Sequence, residues 1–307
     1  MSSAVFLGDF NVDLIMDGLD AEPAPDREVG CSSFSMVMGA SACIAAAAFA
    51  RLGGLASVCS VSGEDEFGSF MRAQLAEAGV YSELVARHPR ARTGVTVNIV
   101  QRGGRAQVTY PGAMGLFALE HVPQGLFDEL AHLHVSGVYQ LHALRPSLGR
   151  ILERAAAAGA TLSLDCQWDA TQRWEGLDTW LPLVDWLLVN EEEACSMTGT
   201  RDASAAIVAL SARTRCPVVK AGAAGCWIVV DGTAVPVPGF PANVVDTIGA
   251  GDNFDAAFLF ALLEKGAPLR EAARHANAAA ARSCTFRGGT EARTTWQDVL
   301  RFMEDGR

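Results

Sequence analysis

From residue 131 onward the chain alternates short apolar runs with helical patterns, and few folds accommodate that rhythm. The runs AHLHVSGV, TLSLDCQ, DWLLVN and CPVVKAG are short, rich in β-branched residues or leucine, and bounded by polar residues or glycine. Buried strands read this way. Helices are expected between and after them, at 145–158, Glu191–Thr198 and 204–213. Such alternation builds βαβ units, whose strands lie parallel and whose helices cover the sheet. Three longer helical patterns close the chain, at 250–264, 269–284 and 295–304.

The N-terminal part adds a second pattern. AVFLGDF is a buried first strand stopped by Gly8 and Asp9. The alternating NVDLIM (11–16) and CSSFSMVM (31–38), parted by the Pro/Asp-rich LDAEPAPDRE, read as strands of a small, half-exposed sheet. A helix is expected at 40–52, closed by the glycines of RLGG, then a strand LASVCSVSG and a helix at 67–78 ended by Gly79. The stretch TGVTVNIVQRGGRAQVTYPG is β-rich, with Gly103–Gly104 as a tight hairpin turn. The expected architecture is one α/β domain over residues 1–307. Its doubly wound, mostly parallel sheet is flanked by helices, and a small β lid is formed by segments near 11–38 and 93–111.

Composition narrows the function classes. Half of the 307 residues are hydrophobic and only 19% are charged, so the chain can bury a core. A net charge of −11 argues against wrapping nucleic acid or an acidic membrane, though backbone N–H groups can still bind small anions. The eight cysteines are scattered, without a CxxC pair, and the six histidines lack metal spacing, His132 and His134 reading as strand packing. The longest apolar run, ACIAAAAFA, is too short to span a bilayer. A soluble, cytoplasmic protein with free thiols is expected.

The chemistry concentrates in VVDTIGAGDNFDAAFLFALL (244–263), where a strand-like ANVVD runs into glycines and then helix. Gly249 and Gly251 let successive N–H groups converge at a helix N-terminus, where unpaired donors and the helix dipole favour an anion. Asp252 falls in the first helical turn, placed to take a proton from a hydroxyl attacking a phosphorus held over the glycines. By itself GAGD is equally compatible with a tight turn and an N-capping aspartate. GxxxxGK[ST] is missing, and no GxGxxG follows the first strand, which disfavours Walker-type and Rossmann dinucleotide sites.

The segment Asp246 to Phe254, DTIGAGDNF, resembles the C-terminal signature of the PfkB (ribokinase-like) family of carbohydrate and nucleoside kinases. The resemblance extends through GDFNVDLIMDGL, ARLGG, GEDEFG, TYPGAM, NEEEA, VKAGAAG and HANAAAA, nearly the whole chain. It implies a ribokinase fold that binds ATP in its C-terminal half, with a lid over the sugar that often mediates a homodimer. Residue by residue, it makes Gly249, Ala250 and Gly251 the anion hole and Asp252 the catalytic base. Asn190 and Glu193 match an N-x-x-E motif that organises Mg²⁺ and phosphate, largely through water; unaided, NEEEA is a solvated acidic turn. Asp13 matches an aspartate that binds substrate hydroxyls, the alternative being an exposed strand carboxylate. Gly39 belongs to the same substrate-binding region. Lys220, Gly222 and Gly225 fall near the expected nucleotide groove, with an ordinary strand-end lysine as the alternative for Lys220. Asn277 is a candidate adenine-pocket residue or a helix-packing residue. Asp246 and Ile248 resemble a monovalent-cation site of some members. Asn98, Gln140, Gln167 and Asp169 are candidate polar lining for the substrate; Trp168 and Trp174 suit packing better.

The chain also departs from the family. A G-G-x-x-x-N motif is replaced by Gly39, Ala40 and Ile44 in MGASACI, so one polar substrate contact and its wall of the pocket become apolar. Ala257 replaces a frequent glycine. Three functions follow: a sugar or sugar-like alcohol kinase, a nucleoside kinase with the same machinery, or a non-catalytic sensor supported only by Ile44.

Overall fold

A computed structural model describes residues 3–101 and 104–306. The N-terminal part runs β1 (Ser3–Leu7), β2 (Asn11–Leu19), β3 (Cys31–Met38), α1 (Ser41–Leu52), β4 (Leu55–Gly63), α2 (Glu66–Glu77), β5 (Val85–His88), β6 (Gly94–Gln101) and β7 (Gly104–Tyr110). It continues through β8 (His132–Ser136), α3 (Leu148–Ala157), β9 (Thr161–Asp165), a single turn α4 (Leu177–Trp180), β10 (Trp186–Asn190), α5 (Glu191–Thr198) and α6 (Ala203–Ser211). The last elements are β11 (Pro217–Lys220), β12 (Gly225–Val230), β13 (Thr233–Pro238), α7 (Ala250–Leu263), α8 (Leu269–Ser283) and α9 (Trp296–Asp305).

Among the described residues the main sheet has nine strands in the order β13-β12-β11-β10-β9-β8-β1-β4-β5. Pairing is parallel from β5 to β11 and antiparallel at β11–β12 and β12–β13. One apolar cluster packs under α1, α7 and α8, with Phe6, Phe49, Phe258 and Phe260 fully buried. A second lies on the opposite face under α3, α4 and α6. The chain builds outward from β1 to β4 and β5, then returns to β8 on the other side of β1. In open α/β sheets the crevice at such a reversal, outside the carboxyl ends of the strands, receives ligands.

β2, β3, β6 and β7 form a separate sheet in the order β3-β2-β6-β7. Its register places Asn11, Asp13, Thr96, Asn98 and Thr109 on one face and Leu14, Met16, Phe34, Met36, Val97 and Val108 on the other. The polar face is the buried one, while Phe34 is 60% and Val108 64% exposed. Of the expected Gly103–Gly104 turn, Gly103 lies outside the described residues.

Three readings need correction. ANVVD joins no sheet and bends at Val245: Val244 and Val245 are exposed, and the N–H groups of Val245 and Asp246 donate to the Cys284 carbonyl at the end of α8. The helix expected at 145–158 begins at Leu148, after a separate tight turn at Arg145–Ser147. The β12–β13 hairpin and the short edge strand β5 lack any counterpart in the sequence reading. GCWIVV and TAVPVP are broken by glycine and prolines, so their pairing rests on tertiary contact instead of alternation.

A buried polar row crosses the core between β8 and β9. The Thr161 hydroxyl donates to the Ala131 carbonyl (3.2 Å), so its oxygen accepts from His132 Nδ1 (2.9 Å). His132 Nε2 then accepts from Ser163 (2.8 Å), whose oxygen accepts from His134 Nδ1 (2.7 Å). His134 Nε2 accepts from Ser136 (2.8 Å). All donors thus point one way, and both imidazoles are neutral Nδ1–H tautomers. Both imidazoles are fully buried, and that burial holds His132 down at about 3 and His134 at about 4.

Candidate active site

Two helix starts converge at the carboxyl ends of β1, β9 and β11. α1 begins at Ala40, which has φ 67° and no side-chain cap. Its first amides are satisfied from outside: Ser41 N and Ala42 N donate to the two carboxylate oxygens of Asp9 at 2.9 and 3.0 Å. Asp9 itself follows β1, where Gly137 passes so closely that a Cβ there would sit 2.9 Å from its carboxyl carbon. α7 begins after Gly249, which has φ 71° and caps the helix. A Cβ on Gly249 would lie 2.5 Å from the Cα of Gly289, so only glycine lets the two loops touch. Asn253 ties them, donating to the carbonyls of both Gly249 and Gly289 at 2.8 Å. Asp246 adds a second tie, accepting from Ile248 N at 3.0 Å and Gly288 N at 2.9 Å.

Asp252, in the first turn of α7, is buried. Burial, reinforced by the nearby Asp165, pushes its carboxyl up to about 8, against the pull of the Ser41 hydroxyl and Lys220. Lys220, at the end of β11, bonds Asp165 at 2.9 Å and Asp255 at 3.0 and 3.2 Å. One lysine balances one carboxylate. Burial opposes ionisation of Asp165, yet Lys220 holds its carboxyl below the usual range, while burial keeps Asp255 protonated well above it. Gly251 lies beside this lysine: a Cβ there would make ordinary contact with Nζ at 3.4 Å.

The N-x-x-E pair forms a reciprocal cap on α5: Glu193 N donates to Asn190 Oδ1 (2.8 Å) and Asn190 N to Glu193 Oε2 (3.0 Å). Burial and then Asp165 push Glu193 up to about 7. Beside this cap lies an open cavity of about 500 Å³ lined by Asn190, Glu191, Glu192, Cys195, Arg201, Lys220, Ala221 and Gly222. The structure therefore brings Asn190, Lys220 and Gly222 together. Gly225 and Asn277 sit apart, Gly225 at the start of β12 and Asn277 on α8 against the β12–β13 hairpin. A Cβ on Gly225 would meet the Val237 carbonyl at 2.1 Å, and Asn277 donates to the carbonyls of Val237 (3.0 Å) and Pro238 (3.1 Å).

On the small sheet, Asp13 is buried and accepts from Asn11 Nδ2 at 2.9 Å. Gly39 must be glycine here, because a Cβ would fall 2.2 Å from Asp13 Oδ1. Asn98 is fully buried; its Oδ1 accepts from Gln107 at 2.9 Å, while its Nδ2 lacks a partner among the described residues. Gln140 is half-buried in the turn after β8. Gln167 reaches Ser41 at the start of α1. Asp169 serves its own loop, accepting from Thr171 N (2.9 Å) and Trp174 N (2.8 Å). Ile44 is 3% exposed and packs against the Gly249–Gly289 contact, so the apolar pocket wall expected there is a packing junction.

Sequence reasoning missed Asp9, Asp165 and Asp255. Asp255 alone left a trace: a second aspartate three residues after Asp252 shares its side of a mostly apolar helix.

The pfkB family carbohydrate kinase pattern matches residues 1–296. A fructokinase of Klebsiella pneumoniae is 31% identical over 290 residues, covering 91% of this chain and 90% of the relative. A fructokinase of Vibrio alginolyticus is 28% identical and covers 99% of both chains. The solved structure of a fructokinase with bound ATP from Xylella fastidiosa superposes with a TM-score of 0.83 at 25% identity, over 99% of this chain and 98% of that one. The fold, the glycine-built start of α7 and these likenesses agree, and the chain belongs to the pfkB family of carbohydrate kinases.

Proposed function

We infer that the protein transfers the γ-phosphoryl group of ATP to a hydroxyl of a sugar or sugar-like alcohol. The observation that carries this reading is a buried carboxyl, Asp252, one residue beyond a glycine loop at the N-terminus of a long helix. Asp252 takes the proton of the attacking hydroxyl. Its raised proton affinity suits a base working near neutral pH. In this reading the N–H groups of Gly249 and Gly251, with that of Ala250 turned from the Thr247 carbonyl it meets at 3.3 Å, stabilise the charge that builds on the phosphoryl group in flight. Asp13 and Gly39 hold the sugar from the lid, with Asn98 and Gln140 as further polar contacts; the unpartnered Asn98 Nδ2 supports its part. Asn190, Lys220 and Gly222 border the nucleotide, and Gly225 and Asn277 support it indirectly by fixing the adjoining hairpin.

Among the described residues no cluster of three His, Cys, Asp or Glu side chains is set to hold a metal ion. The residues therefore fit a Mg²⁺ carried by the phosphates and water, with Glu193 and Asn190 at its edge. When bound, it neutralises phosphate charge. A monovalent cation beside Asp246 and Ile248 belongs to the same reading, tested by activity with and without potassium.

The exposed apolar face of the small sheet supports a homodimer through the lid, which light scattering on a Val108→Lys variant checks. Among the described residues no helix is long and apolar enough to cross a membrane, and the cysteines are all free. Both agree with an ATP-using cytoplasmic enzyme. An ADP-release screen over sugars, sugar acids, polyols and nucleosides with ATP and Mg²⁺ tests the function. Turnover on a sugar-like alcohol is expected, and a silent screen would sink the proposal.

A further inference from the structure

The cavity beside α5 presents a charge problem to any polyphosphate that enters it. Its walls carry the carboxylates of Glu191 and Glu192, and its buried cation, Lys220, is already bonded to Asp165 and Asp255. Arg201 is the other cation on the lining, and it is exposed. Among the described residues its guanidinium forms no ion pair and no hydrogen bond. Its backbone, by contrast, is pinned. Thr200 N donates to the Cys195 carbonyl at 3.2 Å, and the Thr200 hydroxyl meets that of Thr198 at 2.8 Å. Just beyond, Ala203 N donates to Glu191 Oε1 at 3.0 Å and Ala205 N to Asp202 Oδ1 at 2.9 Å. A two-residue link held at both ends thus carries an uncommitted planar cation at the rim of the cavity. Such a group suits bidentate pairing with phosphate oxygens.

We propose that Arg201 clamps the non-transferred phosphates of the nucleotide, supplying the positive charge that the cavity otherwise lacks. This rests on the assignment of the cavity as the nucleotide site. Lys220, beside Gly251, marks the end of the cavity nearest the phosphoryl group in flight, and Arg201 stands on the α5–α6 link. Because it grips phosphates that stay on the nucleotide, it contributes equally before and during transfer. Its loss therefore appears in KM for MgATP and not in kcat.

Calorimetric titration of the full-length protein with MgADP, together with steady-state kinetics, tests the idea. Arg201→Ala should weaken MgADP binding and raise KM for MgATP by roughly tenfold to a hundredfold, as loss of a charge-assisted pair does. Arg201→Glu should lose more, Arg201→Lys less, and the defect should shrink as salt is raised. KM for the sugar should stay at the parent value. Parent-like MgADP affinity in Arg201→Ala, equal losses in the Ala and Glu variants, or a defect confined to kcat or sugar KM would overturn the assignment of Arg201. A parent protein that binds no MgADP would overturn the nucleotide site itself.

Discussion

Replacing Asp252 by asparagine should separate what this residue does for the reaction from what it costs the fold. Burial pushes its carboxyl from the ordinary 3.8 up to about 8. A carboxyl of raised proton affinity binds its proton more tightly in the folded chain than in the unfolded one. Its contribution to stability is complete below about 3.8 and declines as pH rises towards about 8. At pH 7 the unfolded chain has gained about three pH units of ionisation denied to the folded chain, worth about 4 kcal/mol at about 1.36 kcal/mol each. Asparagine has nearly the same shape, stays neutral, and gains nothing on unfolding at higher pH. Asp252→Asn should therefore be the more stable protein, by about 1.5 kcal/mol at pH 5 and about 4 kcal/mol at pH 7. Urea unfolding of parent and variant at matched pH reads this difference, and its slope is the signature. Turnover of the same variant should fall by several orders of magnitude, since no base remains. A stability difference that does not change between pH 5 and 7, or a variant less stable at pH 7, would mean that Asp252 is ionised in the ligand-free protein. Parent-like turnover would remove it from catalysis.

Other expectations follow from the same geometry. For the parent enzyme kcat/KM should climb with pH up to about 8, because the reactive form of Asp252 is the carboxylate; a flat profile from pH 6 to 9 contradicts this. Ala40→Gly relieves a positive φ at the start of α1 and should add about 1 kcal/mol of stability, whereas a lowered melting temperature would show the methyl to matter more. Ile44→Asn places an amide in the Gly249–Gly289 junction and should cost about 2–4 kcal/mol. Unchanged stability with improved sugar affinity would instead place residue 44 in the pocket. Ser163→Ala should cost about 2–4 kcal/mol by orphaning both imidazoles.

Much of this molecule was legible in its sequence because the signals were local. Apolar runs of strand length between helical patterns gave the parallel sheet, and β3, β4 and α5 fall where the pattern put them. The glycine loop and Asp252 were readable because a helix start and its first turn are consecutive residues. What escaped depends on pairing across the chain. Nothing local distinguishes Asp165 from any strand-end carboxylate until Lys220, 55 residues later, meets it. Asp9 caps a helix 32 residues away, so its role cannot be inferred from its neighbours. Val244 and Val245 have strand-like chemistry, yet the carbonyl that the N–H groups of Val245 and Asp246 find is at a helix end. Asn277 was placed by resemblance, and its amide is used to fasten a hairpin that the sequence did not announce.

The polar row between β8 and β9 has an evolutionary consequence. Each member fixes the proton position of the next, back to the carbonyl of Ala131. Losing any one leaves a buried donor or acceptor unmatched, whereas replacing the whole row with apolar residues of similar volume would leave none. Single substitutions along this row therefore lead downhill in stability even if the fully apolar row is as stable as the present one. A descendant protein should carry either the complete set of Thr161, His132, Ser163, His134 and Ser136 or a wholesale replacement, with few sequences caught in between.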